Sequence, residues 1–381
     1  LGDRAIQGQA WKRLGNARLR SADFARAVEA LNRAVALAQE AGDTTNETGA
    51  RQSLGTALVS MGRIPEAQAE FTRIAAGSLF SGRWQGTLSL GGIHEMQGAY
   101  QSALQRLDEA ASILEEGERT GAASAAEAAA GMLYVTTNRR NVFMDEGDFR
   151  QARPLAEKGL ADAEALGNAD QHREARFDLA WCDFHLGQWQ DAYRGFATML
   201  QLARFVGDQG RETMARAWLG IFLAAAGEFD GAITHGKDAL SLALSHGDRR
   251  GELYAQLALS DAYLGSDGRE SEARYHTAQA LAITTALRME RAEAECRLRQ
   301  VRLSRQASDW DEALLSARRA LALAQKLGAR HLESLARLAL ADTLIAQAEG
   351  GDNAEALRTE ARPHVETAQT LAAEIGLSAR S

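Results

Sequence analysis

Small and large apolar positions recur along this chain in fixed columns about 40 residues apart. The sharpest column is a small residue: Ala27, Ala67, Ala103, Ala152, Ala192, Ala232, Ala273 and Ala313. Most steps are 40 or 41 residues, with one of 36 and one of 49. Three residues before most of these stands a bulky group (Phe24, Ile64, Tyr100, Phe149, Trp189, Phe229, Trp310), and two residues earlier a glycine recurs at 62, 98, 147, 187 and 227. A second small column runs through Ala10, Ala50, Gly86, Val135, Ala175, Ala215, Ala255, Cys296 and Ala336, with Leu four residues later in most cases. A repeat of this length with two small columns predicts a pair of antiparallel helices per repeat, about nine pairs in all.

Each column has a physical reason. Two helices approach closely only where a side chain is short, and the bulky residue fills the space between one pair and the next. Glycine relieves the short turn of the penalty for positive φ. Gly42-Asp43, Gly167-Asn168, Gly207-Asp208 and Gly247-Asp248 punctuate the pairs: the glycine ends one helix and the polar residue opens the next. Each hairpin alone leaves an apolar face uncovered, and stacking its neighbours covers it.

Composition agrees. Three prolines in 381 residues leave helices uninterrupted, and Ala and Leu are among the best helix formers. The β-branched and aromatic clusters of strands are missing, so the chain is expected to be all-α. A net charge of −8 argues against nucleic-acid binding. Cys182 and Cys296 lack CxxC neighbours and suit a reducing, cytoplasmic setting. No apolar stretch is long enough to cross a membrane, and no signal-peptide pattern opens the chain. Leu1-Gly2-Asp3 reads like the end of a preceding repeat, so a longer parent protein is expected.

The segment from Trp11 to Ala38, WKRLGNARLRSADFARAVEALNRAVALA, resembles a tetratricopeptide repeat (TPR): Trp, Leu-Gly, an aromatic, Ala, then Ala. The 40-residue period is similar to the long-helix variant of the Leu-Gly-Asn spindle-orientation scaffolds and of bacterial multidomain signalling and transcriptional regulators. The resemblance implies a right-handed α-α superhelix, a solenoid of about nine TPR-like hairpins. It also implies a concave groove lined by the first helices, and a non-catalytic protein-interaction role with no cofactor. Because such repeats serve many unrelated ligands, it does not imply the partner. Abundant Ala and Arg fit a high-GC bacterium and a regulatory module of a larger signalling or transcriptional protein.

The pattern departs at three places. Residues 1–115 read as pairs one to three; the stretch Glu115 to Gly131 reads as a longer helix plus an irregular loop, with 116–131 the longer loop and a candidate seam. Residues 132–378 read as pairs four to nine with an atypical C-terminal cap. The seventh pair loses its turn glycine and aromatic between Gly265 and Arg274, and the ninth carries an insertion from Glu349 to Glu355.

Little in the sequence points to chemistry. Gly231 to Asp238 matches GxxxxGK, but a phosphate loop needs a strand and free backbone N–H groups, and this stretch falls in a second helix. The eight histidines form no HExxH or zinc spacing, and no nucleophile motif occurs. No enzyme and no metal site are expected.

On the resemblance, groove positions lie two, six and nine residues after the first small column. They include Lys12 and Asn16, Gln52 and Thr56, Asn141, then Phe177, Trp181 and Phe184, Ile221, Asp261, and Arg302 and Arg305. The three aromatics form one stripe along a helix, either packing against neighbouring helices or a second copy, or accepting an apolar side chain of a partner. Arg302 and Arg305 stand one turn apart and can hold a carboxylate, or pair with Glu293 and Glu295. The expected partner is a peptide or protein segment, with no nucleic acid and no membrane. The alternative is a scaffold that forms a homodimer through its aromatic stripe.

Overall fold

A computed structural model describes residues 2–20, 23–349 and 353–375, and among these every regular element is an α-helix. The first six are α1 (Gly2–Arg20), α2 (Phe24–Ala41), α3 (Thr44–Ser60), α4 (Ile64–Ala75), α5 (Phe80–Met96) and α6 (Tyr100–Thr120). Then follow α7 (Ala125–Glu146), α8 (Phe149–Ala165), α9 (Ala169–His185), α10 (Trp189–Val206), α11 (Gln209–Ala225) and α12 (Phe229–His246). The last six are α13 (Arg249–Leu264), α14 (Glu270–Leu287), α15 (Glu290–Gln306), α16 (Trp310–Lys326), α17 (Arg330–Ala348) and α18 (Ala354–Glu374). The chain divides into two compact units, Leu1–Val142 and Phe143–Ser381.

Within each unit the helices pair as the columns predict. All eight alanines of the first column are fully buried, which sets the close approach inside each hairpin. The turn glycines 62, 98, 147, 187 and 227 all have positive φ, between +71° and +93°. Asp43, Asn168, Asp208 and Asp248 each accept a hydrogen bond from the backbone N–H three residues on, at 2.9–3.1 Å. Each thus satisfies a donor that the start of a helix leaves unpaired.

The structure also shows a column that the sequence reading passed over. Arg51, Arg216, Arg297 and Arg337 each follow the small residue of a first helix, and each faces a glutamate four residues earlier, at 2.7–3.9 Å. The order Glu then Arg at this spacing is the favourable one on a helix. An E-x-x-x-R search at the repeat period would have found it.

Three expectations are corrected. The stretch Glu115 to Gly131 is more helical than expected: it lengthens both α6 and α7, and the loop is confined to residues 121–124. The chain divides into its two units not there but inside α7, after Val142. The turn of the seventh pair has kept its glycine in register: Gly268 stands five residues before Ala273, as the other turn glycines do before theirs, and its φ is +69°. The insertion expected in the ninth pair lies partly outside the described residues, at 350–352.

The second unit closes on itself. Ile375, just after α18, is buried with Phe149, Ala152 and Cys182 of the fourth and fifth pairs. Arg330 of α17 bonds Glu146 at 3.0 Å, and Arg291 of α15 reaches both the carboxylate and the carbonyl oxygen of Asp145. A seam therefore joins the end of this unit to its beginning.

Candidate functional site

Inside the closed second unit lies a cavity of about 450 Å³. Its walls come from first helices, α9, α11, α13, α15 and α17, with Phe149 of α8 and Phe229 of α12 at the edges. Turns of two to five residues keep successive first helices side by side, α11 against α13, α13 against α15 and α15 against α17. One register position therefore repeats around the lumen. The sixth residue after the small column contributes Trp181, Ile221, Asp261 and Arg302, four lining residues from four successive pairs.

The apolar side is aromatic. Trp181 meets Trp218 edge-on at 4.1 Å between ring centroids, and Trp181 and Phe184 are tilted neighbours at 6.2 Å. Phe177 does not line the cavity: its ring packs against Phe196 and Trp218 at 6.2 and 6.0 Å. The stripe is thus divided. Phe177 serves the fold, while Trp181 and Phe184 serve both fold and cavity.

The polar side is α15 with Asp261 of α13. Arg299 donates from Nε and Nη2 to the two Asp261 carboxylate oxygens at 2.9 and 2.6 Å, a bidentate pair that raises the guanidinium pKa against the cost of burial. Burial pushes the Glu295 carboxyl above the usual carboxylate range, against the pull of Arg299 and Arg291. Behind α15, burial drives the Cys296 thiol up to about 12, so that sulfur stays protonated at neutral pH. Arg302 is exposed at the cavity edge and has no ion-pair partner among the described residues.

At the seam end, His185 stacks on Phe149 at 4.1 Å and meets His331 edge-on at 5.0 Å. Burial lowers both rings' pKa, with Arg291 adding to the effect; His331 falls to about 4 and His185 well below its ordinary value. Nε2 of His185, Nδ1 of His331 and Nε1 of the buried Trp218 have no hydrogen-bond partner among the described residues. Three lining side chains thus keep polar atoms in hand, which buried groups seldom do.

Other expected site residues lie elsewhere. Arg305 faces Asp342 of α17 at 3.6 Å and leaves Arg302 without the companion expected for a two-arginine clamp. Glu293 is taken by Arg319 at 2.9 Å rather than by either of these arginines. The first unit holds Lys12, whose Nζ donates to Asn46 at 2.7 Å, and Gln52, whose Nε2 donates to Ser89 at 2.9 Å. Asn16 keeps a buried carbonyl oxygen without a partner, and Thr56 bonds the carbonyl of Gln52. Asn141 accepts from Arg140 at 3.2 Å. Residues 231–238 lie inside α12, with the N–H groups from Ala232 on in helical bonds and Asp238 paired to Arg216. Among the described residues no group of three His, Cys, Asp or Glu could hold a metal ion, and no helix is long and apolar enough to cross a membrane.

The contribution sequence reasoning missed is that of Trp218, Glu295, Arg299, His185 and His331. Trp218 sits three residues after its small column and Arg299 three after Cys296, so one further register position would have found both.

Comparison with known proteins bears on the fold. The tetratricopeptide-repeat family profile matches residues 53–118 and 141–198. No curated protein matches the sequence. Among solved structures, a Rap protein complexed with competence and sporulation factor superposes with a TM-score of 0.69 at 12% identity, over 98% of this chain and 100% of that one. The Rap conjugation gene regulator of plasmid pLS20, in complex with a Phr peptide, gives 0.61 at 12% identity over 98% and 99%. A signal-transduction ATPase with a tetratricopeptide-repeat sensor, from Pyrococcus horikoshii, gives 0.51 at 14% over 92% and 54%. The hairpins, their columns and these likenesses agree: the chain is a tetratricopeptide-like helical repeat array.

Proposed function

We propose that this chain is a non-catalytic interaction module that takes a peptide or protein segment into the cavity of its second unit. The observation that carries the reading is the convergence of Trp181, Ile221, Asp261 and Arg302, one register position of four successive hairpins, on a single lumen. An aromatic side offers anchors for an apolar side chain, and Arg302 offers a planar fork for a carboxylate. The unpartnered atoms of Trp218, His185 and His331 suit a guest rich in backbone donors and acceptors. Two of the similar structures are described as complexes with a peptide or factor, which supports the same class of guest. We further read the chain as a cytoplasmic regulatory part of a larger signalling or transcriptional protein, in keeping with its likeness to an ATPase sensor array.

The test is a library of immobilised short peptides probed with the wild-type chain and with Ala225→Trp. Ala225 is exposed at the cavity wall, where a large ring blocks the lumen without entering the core. Peptides that bind the wild type and not the variant support the reading, provided helicity is unchanged. A library without binders, together with a wild-type dimer in light scattering that Trp181→Ala converts to monomer, would establish the scaffold instead.

A further inference from the structure

Two charges remain when the ion pairs around the cavity have formed. Arg299 is closed onto Asp261, and Arg291 is held by Asp145. Glu295 and Arg302 have no ion-pair partner among the described residues, although both line the cavity. They stand seven residues apart on α15, nearly two full turns, and so on one face of the helix. A rise of 1.5 Å per residue puts their attachment points about 10 Å apart along the axis. Leu298 lies between them, and Trp181, Trp218 and Ile221 supply the cavity's apolar side.

We propose that the guest is an extended segment that presents a cation to Glu295 and an anion to Arg302, and turns a bulky apolar side chain toward Trp181 and Trp218. This rests on the reading of the cavity as a peptide site. Alternate side chains of an extended chain point to opposite sides. A basic and an acidic residue flanking one apolar residue therefore face α15 together, while the residue between them faces the aromatics. Their Cα atoms stand about 7 Å apart, and the long side chains of lysine and of Arg302 span the remaining distance. The ammonium and carboxylate ends of a free peptide of three or four residues present the same chemistry at a similar separation. A dipolar guest gives both Glu295 and Arg302 a partner of opposite sign, where a singly charged one leaves one of them unpaired. A guest with two like charges places one of them against its own sign.

The test uses capped pentapeptides, alanine-flanked, with the cores Lys-Phe-Glu, Lys-Phe-Lys and Glu-Phe-Glu, and the uncapped tetrapeptide Ala-Phe-Leu-Ala beside its capped form. Binding is followed by tryptophan fluorescence and calorimetry on the full chain. The wild type is expected to bind a dipolar probe at least tenfold more tightly than either like-charged core. Preference for the Lys-Phe-Glu core assigns the charges to side chains. Preference for the uncapped over the capped tetrapeptide assigns them to chain ends. Arg302→Glu should shift preference to the Lys-Phe-Lys core, and Glu295→Lys to Glu-Phe-Glu. Glu295→Gln, which keeps the volume, should erase the advantage of the lysine. If all cores bind alike, if the variants keep the wild-type order, or if other library peptides fill the cavity and none of these does, the charge assignment is overturned and the peptide reading stands. If no peptide of any kind binds, both fall.

Discussion

The indole rings of Trp181 and Trp218 meet edge to face at 4.1 Å, across two successive first helices, and this contact holds the aromatic side of the cavity in shape. Trp218 is almost fully buried, whereas Trp181 is only partly so. Removing Trp181 therefore costs less than a fully enclosed ring would. Trp181→Ala is expected to lower unfolding free energy by about 2–3 kcal/mol, and Trp181→Phe by about 1 kcal/mol. Urea unfolding measures both. A loss under 0.5 kcal/mol for the alanine variant would mean that the ring does not pack as described.

Gly147 tests the seam of the second unit. Its φ is +93°, and a methyl group there would stand 2.4 Å from Cβ of His331 and 3.0 Å from its backbone nitrogen. Gly187 has a comparable φ of +72°, but its nearest neighbour would be 3.9 Å away. Gly187→Ala should cost about 1–2 kcal/mol for the left-handed backbone alone. Gly147→Ala should cost clearly more, by at least about 1 kcal/mol. Equal losses in matched denaturation curves would show that the seam is open in solution.

The paired histidines make stability depend on pH. Burial holds His331 at about 4 and His185 well below its ordinary value, so the folded chain refuses protons that the unfolded chain accepts. Stability is therefore full above about pH 6.5 and declines as the pH falls from there toward 4. Between pH 7 and 5 the wild type should lose about 1–2 kcal/mol more than His331→Gln. Parallel pH profiles for the two proteins would contradict this.

Ser308 has a φ of +57° in the turn of the eighth pair, at the register where the second to seventh pairs place glycine. The side chain is exposed and the turn lies in solvent. Ser308→Gly should raise stability by about 0.5–1 kcal/mol, because relief of left-handed strain exceeds the added freedom of the unfolded chain. Thermal unfolding would show an upward shift; a downward one would mean that serine is accommodated there without strain.

The hairpins were legible because each depends on local chemistry. Ala27 and its seven counterparts, Gly62 and Asp43 act within one repeat, where spacing along the chain equals spacing in the fold. The position shared by Trp181, Ile221, Asp261 and Arg302 came instead from the family resemblance, and all four residues line the cavity. Arg305 was not, because its neighbour Asp342 belongs to the next pair and depends on how far α17 turns past α15. His185 and His331 were beyond reach for a stronger reason. They meet only because the unit closes, and closure depends on small rotations summed over several hairpins, which no single repeat records. Between Glu115 and Gly131 the expected loop shrank to four residues, because alanine carries most of the stretch into helix.

A linear stack of repeats has two loose ends, can begin folding anywhere and frays from whichever end is weaker. The second unit has given up that freedom. With Ile375 buried beside Phe149 and Arg330 tied to Glu146, its final hairpin cannot peel away without uncovering the fourth. Amide protons at the two extremities should therefore exchange in step, as parts of one cooperative block. Contacts between such distant stretches must wait for a large loop to close, so this unit should form late, in a single commitment rather than hairpin by hairpin.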